Sequence, residues 1–116
     1  MSDSREDAVE DLQQLLEATK RLRADLRSRE GLYRRTAKKL ARGTDVATAM
    51  KSVRASDARG ELAEAFDDFE YCRHQLRLSM TSAGLDEGMT IGHVGKALGI
   101  SRQLAARYAK ETRHFT

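Results

Sequence analysis

The sequence predicts an all-α protein, and three observations carry that prediction. Proline is absent from all 116 residues, so no position is barred from a helix interior on that account. Apolar residues recur at three- and four-residue intervals over long stretches, which is the period of a helix with one buried face. Aromatic residues are 5% of the chain and charged residues 34%, the latter above the roughly 25% of an average globular chain. Such a composition suits exposed helices with narrow apolar stripes and disfavours a β-sandwich or a large aromatic pocket. The expected order is a long N-terminal helical hairpin or coiled-coil-like bundle over residues 1–56, a long connecting helix over 57–84, and a pair of short helices within 85–116.

The opening helix begins with Asp3, Glu6, Asp7, Glu10 and Asp11. Their negative charge complements the positive end of a helix dipole. A seven-residue repeat follows, with Leu12, Thr19, Leu26, Tyr33 and Leu40 at one apolar position and Ala8, Leu15 and Leu22 at the second. Val9 and Leu16 widen the stripe, which points to a bundle rather than a strict two-stranded seam. The repeat weakens at Arg29 and Thr36, so pairing is expected to be strongest from Ala8 to Leu26. Gly31 is compatible with either a break or a kink.

Arg34, Arg35, Lys38, Lys39 and Arg42 fall at i, i+1, i+4, i+5 and i+8, one continuous basic stripe on a helix. It fits secondary contacts to a phosphate backbone. It also fits a solvated outer face, partly paired to Glu61, Glu64, Asp67 and Asp68. Gly43, Thr44 and Asp45 then supply a stop and a new N-cap, opening a short helix to about Val53. Ser56 and Asp57 are expected to cap the next helix, which runs to Ala83 with Leu62, Ala65, Phe66, Phe69, Cys72, Leu76, Met80 and Ala83 on its apolar face. At 1.5 Å per residue it spans about 40 Å, enough to pack on the first helix and reach the C-terminal pair. Gly84 to Gly88 is a turn.

The C-terminal stretch, TIGHVGKALGISRQLAARYAKE, is the most specific in the chain. Thr90 can cap a helix from Ile91 to about Leu98, with Val94 and Leu98 on one face. Gly99 supplies the left-handed residue that ends it. Ile100 turns back into the corner, and Ser101 caps a second helix through about Glu111. Gly95 lies inside the first helix, where glycine costs roughly 1 kcal/mol relative to alanine, so a close crossing by the second helix is expected there. Leu104, Ala105 and Tyr108 share the buried face of the second helix. Arg102, Gln103, Ala106, Arg107, Lys110 and Arg113 share the opposite one. The tail ALGISRQLAARYAKE resembles the helix-turn-helix proteins of the sigma-factor region 4 and resolvase type, in which LG-[IV]-SRQ opens the recognition helix. The resemblance covers roughly the last 30 residues. It implies that Arg102, Gln103, Ala106 and Arg107 read base edges in the major groove, that Lys110 and Arg113 meet phosphates, and that Thr90 and Ser101 offer backbone N–H groups and hydroxyls to phosphate. The competing reading is a helical hairpin that is merely basic outside, or one that binds protein.

No constellation points to catalysis, a metal or a cofactor. Cys72 and His74 are two apart and face different sides of a helix, and Cys72 fits the apolar stripe as a buried thiol. His93 and His114 lack neighbours at metal-ligand spacing. Asp67, Asp68 and Glu70 read as a solvated acidic face, and the glycines match no phosphate-binding loop. A single cysteine suits a reducing cytoplasm, and no leader or apolar run long enough for a membrane is evident. Fifteen Arg against six Lys suggests a GC-rich bacterial genome.

Net charge is +3, unevenly spread. Residues 1–19 carry −5, 20–60 carry +9, 61–87 carry −5 and 88–116 carry +4. The two positive blocks are the ones able to face a polyanion. The expectation is a small cytoplasmic, nucleoid-associated transcriptional regulator that binds double-stranded DNA as a homodimer, with no membrane role. A dimer of such units reads half-sites about 34 Å apart, or a multiple. The alternatives are an architectural DNA-binding protein, a helical adaptor that docks on transcription machinery, and an intramolecular bundle in place of the dimer.

Overall fold

A computed structural model describes residues 3–114, with side chains as far as Thr112. The described residues are all-helical, with no strand: α1 (Ser4–Ala41), α2 (Val46–Ala58), α3 (Glu61–Asp86), α4 (Ile91–Leu98) and α5 (Arg102–His114). No helix among them is long and apolar enough to cross a membrane. The chain divides into two compact units, one of Met1–Leu16 with Glu70–Thr116 and the other of Glu17–Phe69.

In the Glu17–Phe69 unit, α1 passes through Gly31 without a break. Its buried residues are Ala18, Leu22 and Arg29, whereas the expected seam of Leu26, Tyr33 and Leu40 is exposed. The packed line therefore follows the second apolar position, and it continues through Arg29, where the repeat had appeared to weaken. Arg29 can be buried because its guanidinium is satisfied. It donates to the Asp57 carboxylate and, at 3.1 Å, to the Ser56 carbonyl. The hydrogen bond to Asp57 raises the guanidinium's pKa above its ordinary value, burial opposes, and Tyr33 adds to the rise.

That pair also corrects the boundary between the second and third helices. Ser56 and Asp57 do not cap α3. They lie in the last turns of α2, which extends beyond Val53 to Ala58. Gly60, whose N–H donates to the Asp57 carbonyl at 3.0 Å, separates the two helices. Among the described residues the basic stripe forms no ion pair with α3, so the paired form of its solvated-face reading is not met. Glu64 and Asp68 face Arg21, at 3.6 and 3.8 Å.

Asp45 caps α2 as expected, accepting from the Thr48 N–H at 3.1 Å and the Thr48 hydroxyl at 2.7 Å. The Thr48 hydroxyl first, then its backbone N–H, holds the Asp45 carboxyl below its ordinary pKa. A depressed carboxyl stabilises the fold fully above the unfolded-state value and loses that contribution as pH falls through the folded-state value. Asparagine at this position keeps an acceptor but cannot titrate. In urea titrations, the stability advantage of wild type over Asp45→Asn is therefore expected to shrink on acidification through the carboxylate range. An advantage independent of pH would contradict this.

In the other unit α3 is enclosed more fully than its apolar stripe suggests. Cys72, Leu78 and Thr81 are buried, while Met80 is exposed. Thr81 breaks the apolar pattern, yet its hydroxyl donates to the Arg77 carbonyl at 2.7 Å, so the side chain packs with no polar atom left over. The first turn of α1 meets the end of α3 through Ser4 with Asp86 and Arg5 with Glu87. Rather than turning at Gly84, α3 continues to Asp86.

Candidate nucleic-acid interface

The α4–α5 pair is built by local chemistry that the sequence spells out. The Thr90 hydroxyl oxygen accepts from the His93 N–H at 3.1 Å, and the Ser101 hydroxyl oxygen accepts from the Leu104 N–H at 3.1 Å. Each cap satisfies a donor that the first helical turn leaves unpaired. Between them Gly99 takes φ 70°, ψ 32°, a conformation in which a Cβ is strained. The Gly99 N–H donates to Lys96 O at 3.2 Å and the Ile100 N–H to Gly95 O at 2.9 Å. This pair of bonds is the Schellman ending of a helix.

Gly95 is buried for a reason that differs from the expected one. A Cβ there would stand 3.1 Å from the Ile100 carbonyl oxygen and 3.4 Å from that of Ser101. The chain folding over Gly95 is the turn itself, not the body of the second helix. The missing side chain lets the turn close tightly, and that closure fixes the angle at which α5 leaves.

On α5, Ala105, Tyr108 and Ala109 are buried and Leu104 is only half-buried. The inner face is thus rotated slightly from the expected one, because small Ala109 sits against the core and Leu104 reaches its edge. Ser101, Arg102, Gln103, Arg107 and Lys110 are exposed, Ala106 is half-buried, and Thr90 is exposed at the start of α4. Arg102, Gln103, Ala106, Arg107 and Lys110 recur at helical spacing along one outer face. The Arg113 side chain lies outside the described residues. None of Arg102, Arg107 and Lys110 forms an ion pair among the described residues. The acidic residue of α5, Glu111, is turned away and bonds His74 Nε2 at 3.1 Å.

His74 and its neighbours are the residues that sequence reasoning missed. The His74 ring meets Tyr108 edge-on, with centroids 5.5 Å apart, and Arg77 donates to the Tyr108 hydroxyl at 3.4 Å. Together with Glu111 these contacts tie α5 to α3 from behind, leaving the outer face clear. The signal for them was weak: polar residues on α3 find partners about 30 positions later. Lys96, exposed in the last turn of α4, adds a cation beyond those expected. It sits three residues after exposed His93, a spacing that marks the outer face.

Arg34, Arg35, Lys38, Lys39 and Arg42 belong to the other unit. All five are exposed, and none is ion-paired among the described residues. No group of three or more His, Cys, Asp or Glu among the described residues could hold a metal ion. No protein-family model, curated protein or solved structure matches the chain.

Proposed function

We propose that the protein is a sequence-specific DNA-binding transcriptional regulator that acts as a dimer, with α5 lying in the major groove. Arg102, Gln103, Ala106 and Arg107 contact base edges, Lys110 and Arg113 contact phosphates, and Thr90 and Ser101 present helix N-termini to the backbone. Arginine matches guanine O6 and N7, glutamine matches adenine N6 and N7, and Ala106 leaves room for a thymine methyl. The reading assigns the chain no reaction and no cofactor, and it places the protein at the nucleoid.

The observation that carries it is the unpaired cationic face. Arg102, Arg107 and Lys110 project from one side of a helix whose other side is held by Tyr108 and Glu111. Three exposed cations without an acidic partner among the described residues are poised for a polyanion, and a helix fixed from behind needs little ordering on binding. Fluorescence anisotropy with a labelled duplex tests this. Affinity is expected to fall steeply with salt, because phosphate contacts release counterions. Arg102→Glu with Arg107→Glu is expected to abolish binding at near-physiological salt while helix content is retained. Undiminished affinity of that variant would remove α5 from the interface.

One observation favours a second reading. The stripe from Arg34 to Arg42, exposed and without an ion pair among the described residues, suits an architectural role in which backbone contacts dominate and sequence preference is slight. In that case the charge-reversed α5 variant keeps most of its affinity, and reversal of the stripe removes it. An adaptor that uses α4–α5 to bind transcription machinery predicts no duplex affinity at all.

A further inference from the structure

We propose that the groove on one side of the α1–α2 hairpin docks an acidic amphipathic helix of a partner protein. This goes beyond DNA binding and does not depend on it. The groove lies wholly within the Glu17–Phe69 unit. Arg29 meets Asp57 at one end of the hairpin and the turn at Gly43 closes the other, so the two helices run antiparallel. Between them Ala49 is buried and Val53 half-buried, whereas Leu40, Val46 and Met50 remain 41%, 58% and 66% exposed. These five side chains line an open groove of about 390 Å³. The polar groups in its lining, Thr36 and Asp57, are already engaged. The Thr36 hydroxyl donates to the Leu32 carbonyl at 2.8 Å, and the Asp57 carboxylate accepts from Arg29. The floor is therefore suited to apolar side chains.

The rims are basic. On α2, Arg54 lines the groove and Lys51 stands one turn before it. On α1, Arg34 and Lys38 occupy the same flank as Leu40, beyond small Ala37 and Ala41. All four cations are exposed, and none forms an ion pair among the described residues. Glu30 shares that flank at the end away from the turn, one helical turn before Arg34. Asp45, at the turn, accepts from Thr48. From Arg29 to Arg59 the chain holds nine basic residues against three acidic ones. Arg35, Lys39 and Arg42 fall on the opposite side of the hairpin and stay available for phosphate. The acidic start of α3 does not neutralise the rims: Glu64 and Asp68 face Arg21, about 28 Å along α1 from Leu40.

Shape and charge together name the occupant. A second copy presenting this same face would press basic rows against each other. A DNA duplex would meet the rims with phosphate but bring no apolar side chains to the floor. Val46, Met50 and Val53, at i, i+4 and i+7, run about 10 Å along α2, two turns of helix. A docking helix with apolar anchors at that spacing fills the floor, and Glu or Asp on both of its flanks meets the two basic rows.

Fluorescence anisotropy with a labelled synthetic helix tests this. The probe carries Leu at i, i+4 and i+7 and Glu on both flanks, and a second peptide carries Lys in place of every Glu. The acidic peptide is expected to bind at micromolar concentration, and the basic one about tenfold more weakly or worse. Met50→Asp puts a carboxylate in the apolar floor and is expected to weaken binding of the acidic peptide by about tenfold or more. If that variant loses helix content, Lys51→Glu with Arg54→Glu, both on the surface, carries the test and is expected to erase the preference for the acidic peptide. Arg102→Glu with Arg107→Glu is expected to bind the peptide as wild type does. No binding of the acidic peptide, equal binding of both peptides, or binding unchanged by both groove variants would overturn the proposal. Loss of peptide binding on reversal of Arg102 and Arg107 would move the contact to α5 and overturn it as well. Capture of phosphatidylserine vesicles that depends on Met50, without peptide binding, would assign the groove to a lipid surface instead.

Discussion

Arg102→Ala is expected to weaken binding to the preferred duplex by about 1–3 kcal/mol, roughly 5- to 150-fold, while binding to random duplex changes little. Gln103→Ala is expected to behave similarly at the adenine it contacts. The asymmetry follows from position. Arg102 and Gln103 open α5 immediately after the Ser101 cap, where a helix entering the major groove places its first residues against base edges. Lys110 lies two turns further along the same exposed face and is expected to contact backbone only. Lys110→Ala should therefore weaken all sequences alike and reduce the salt slope by about one phosphate contact. Competition titrations with specific and random duplexes separate the two behaviours. Equal losses on both duplexes for all three variants would contradict the assignment of base readers.

The second large effect is on stability. Tyr108→Ala is expected to destabilise the fold by about 3–5 kcal/mol, the range for removing a large buried aromatic side chain. Tyr108 is 5% exposed, and its ring contacts His74 while its hydroxyl accepts from Arg77. It joins α5 to α3, so its loss should also abolish duplex binding although the side chain is too buried to touch DNA. Tyr108→Phe keeps the ring and loses one long hydrogen bond, which should cost about 1 kcal/mol. Chemical denaturation followed by circular dichroism measures both. A Tyr108→Ala variant within about 1 kcal/mol of wild type would show that α5 is held by other contacts.

The C-terminal pair was legible in the sequence because its instructions are local. Thr90, Gly99 and Ser101 each act within three to five residues, through caps and a left-handed turn that depend little on the rest of the chain. The helical class and the burial of Cys72 were legible for the same reason, as periodicity is a local property. Long-range choices were not. Asp57 has the composition of a helix cap, and only its capture by Arg29, 28 residues earlier, shows that it ends α2 instead. The α1 repeat offered two lines, and the packed one runs through an arginine that apolar periodicity discounts. Leu104 looked like core and lies at its edge, while Ala109 went unnoticed because a small residue gives little hydrophobic signal. His74 stands two residues after Cys72 in sequence but faces Glu111, a pairing that spacing along one helix does not encode.

The central claim is that α5 reads sequence, and selection from random DNA tests it most directly. Purified protein is mixed with a random duplex pool at near-physiological salt, and the retained fragments are sequenced over successive rounds. The account predicts an enriched inverted repeat with half-sites about 34 Å apart or a multiple, relaxed at one position of each half-site in the Arg102→Ala and Gln103→Ala variants. Retention without enrichment, or no retention at all, would contradict it.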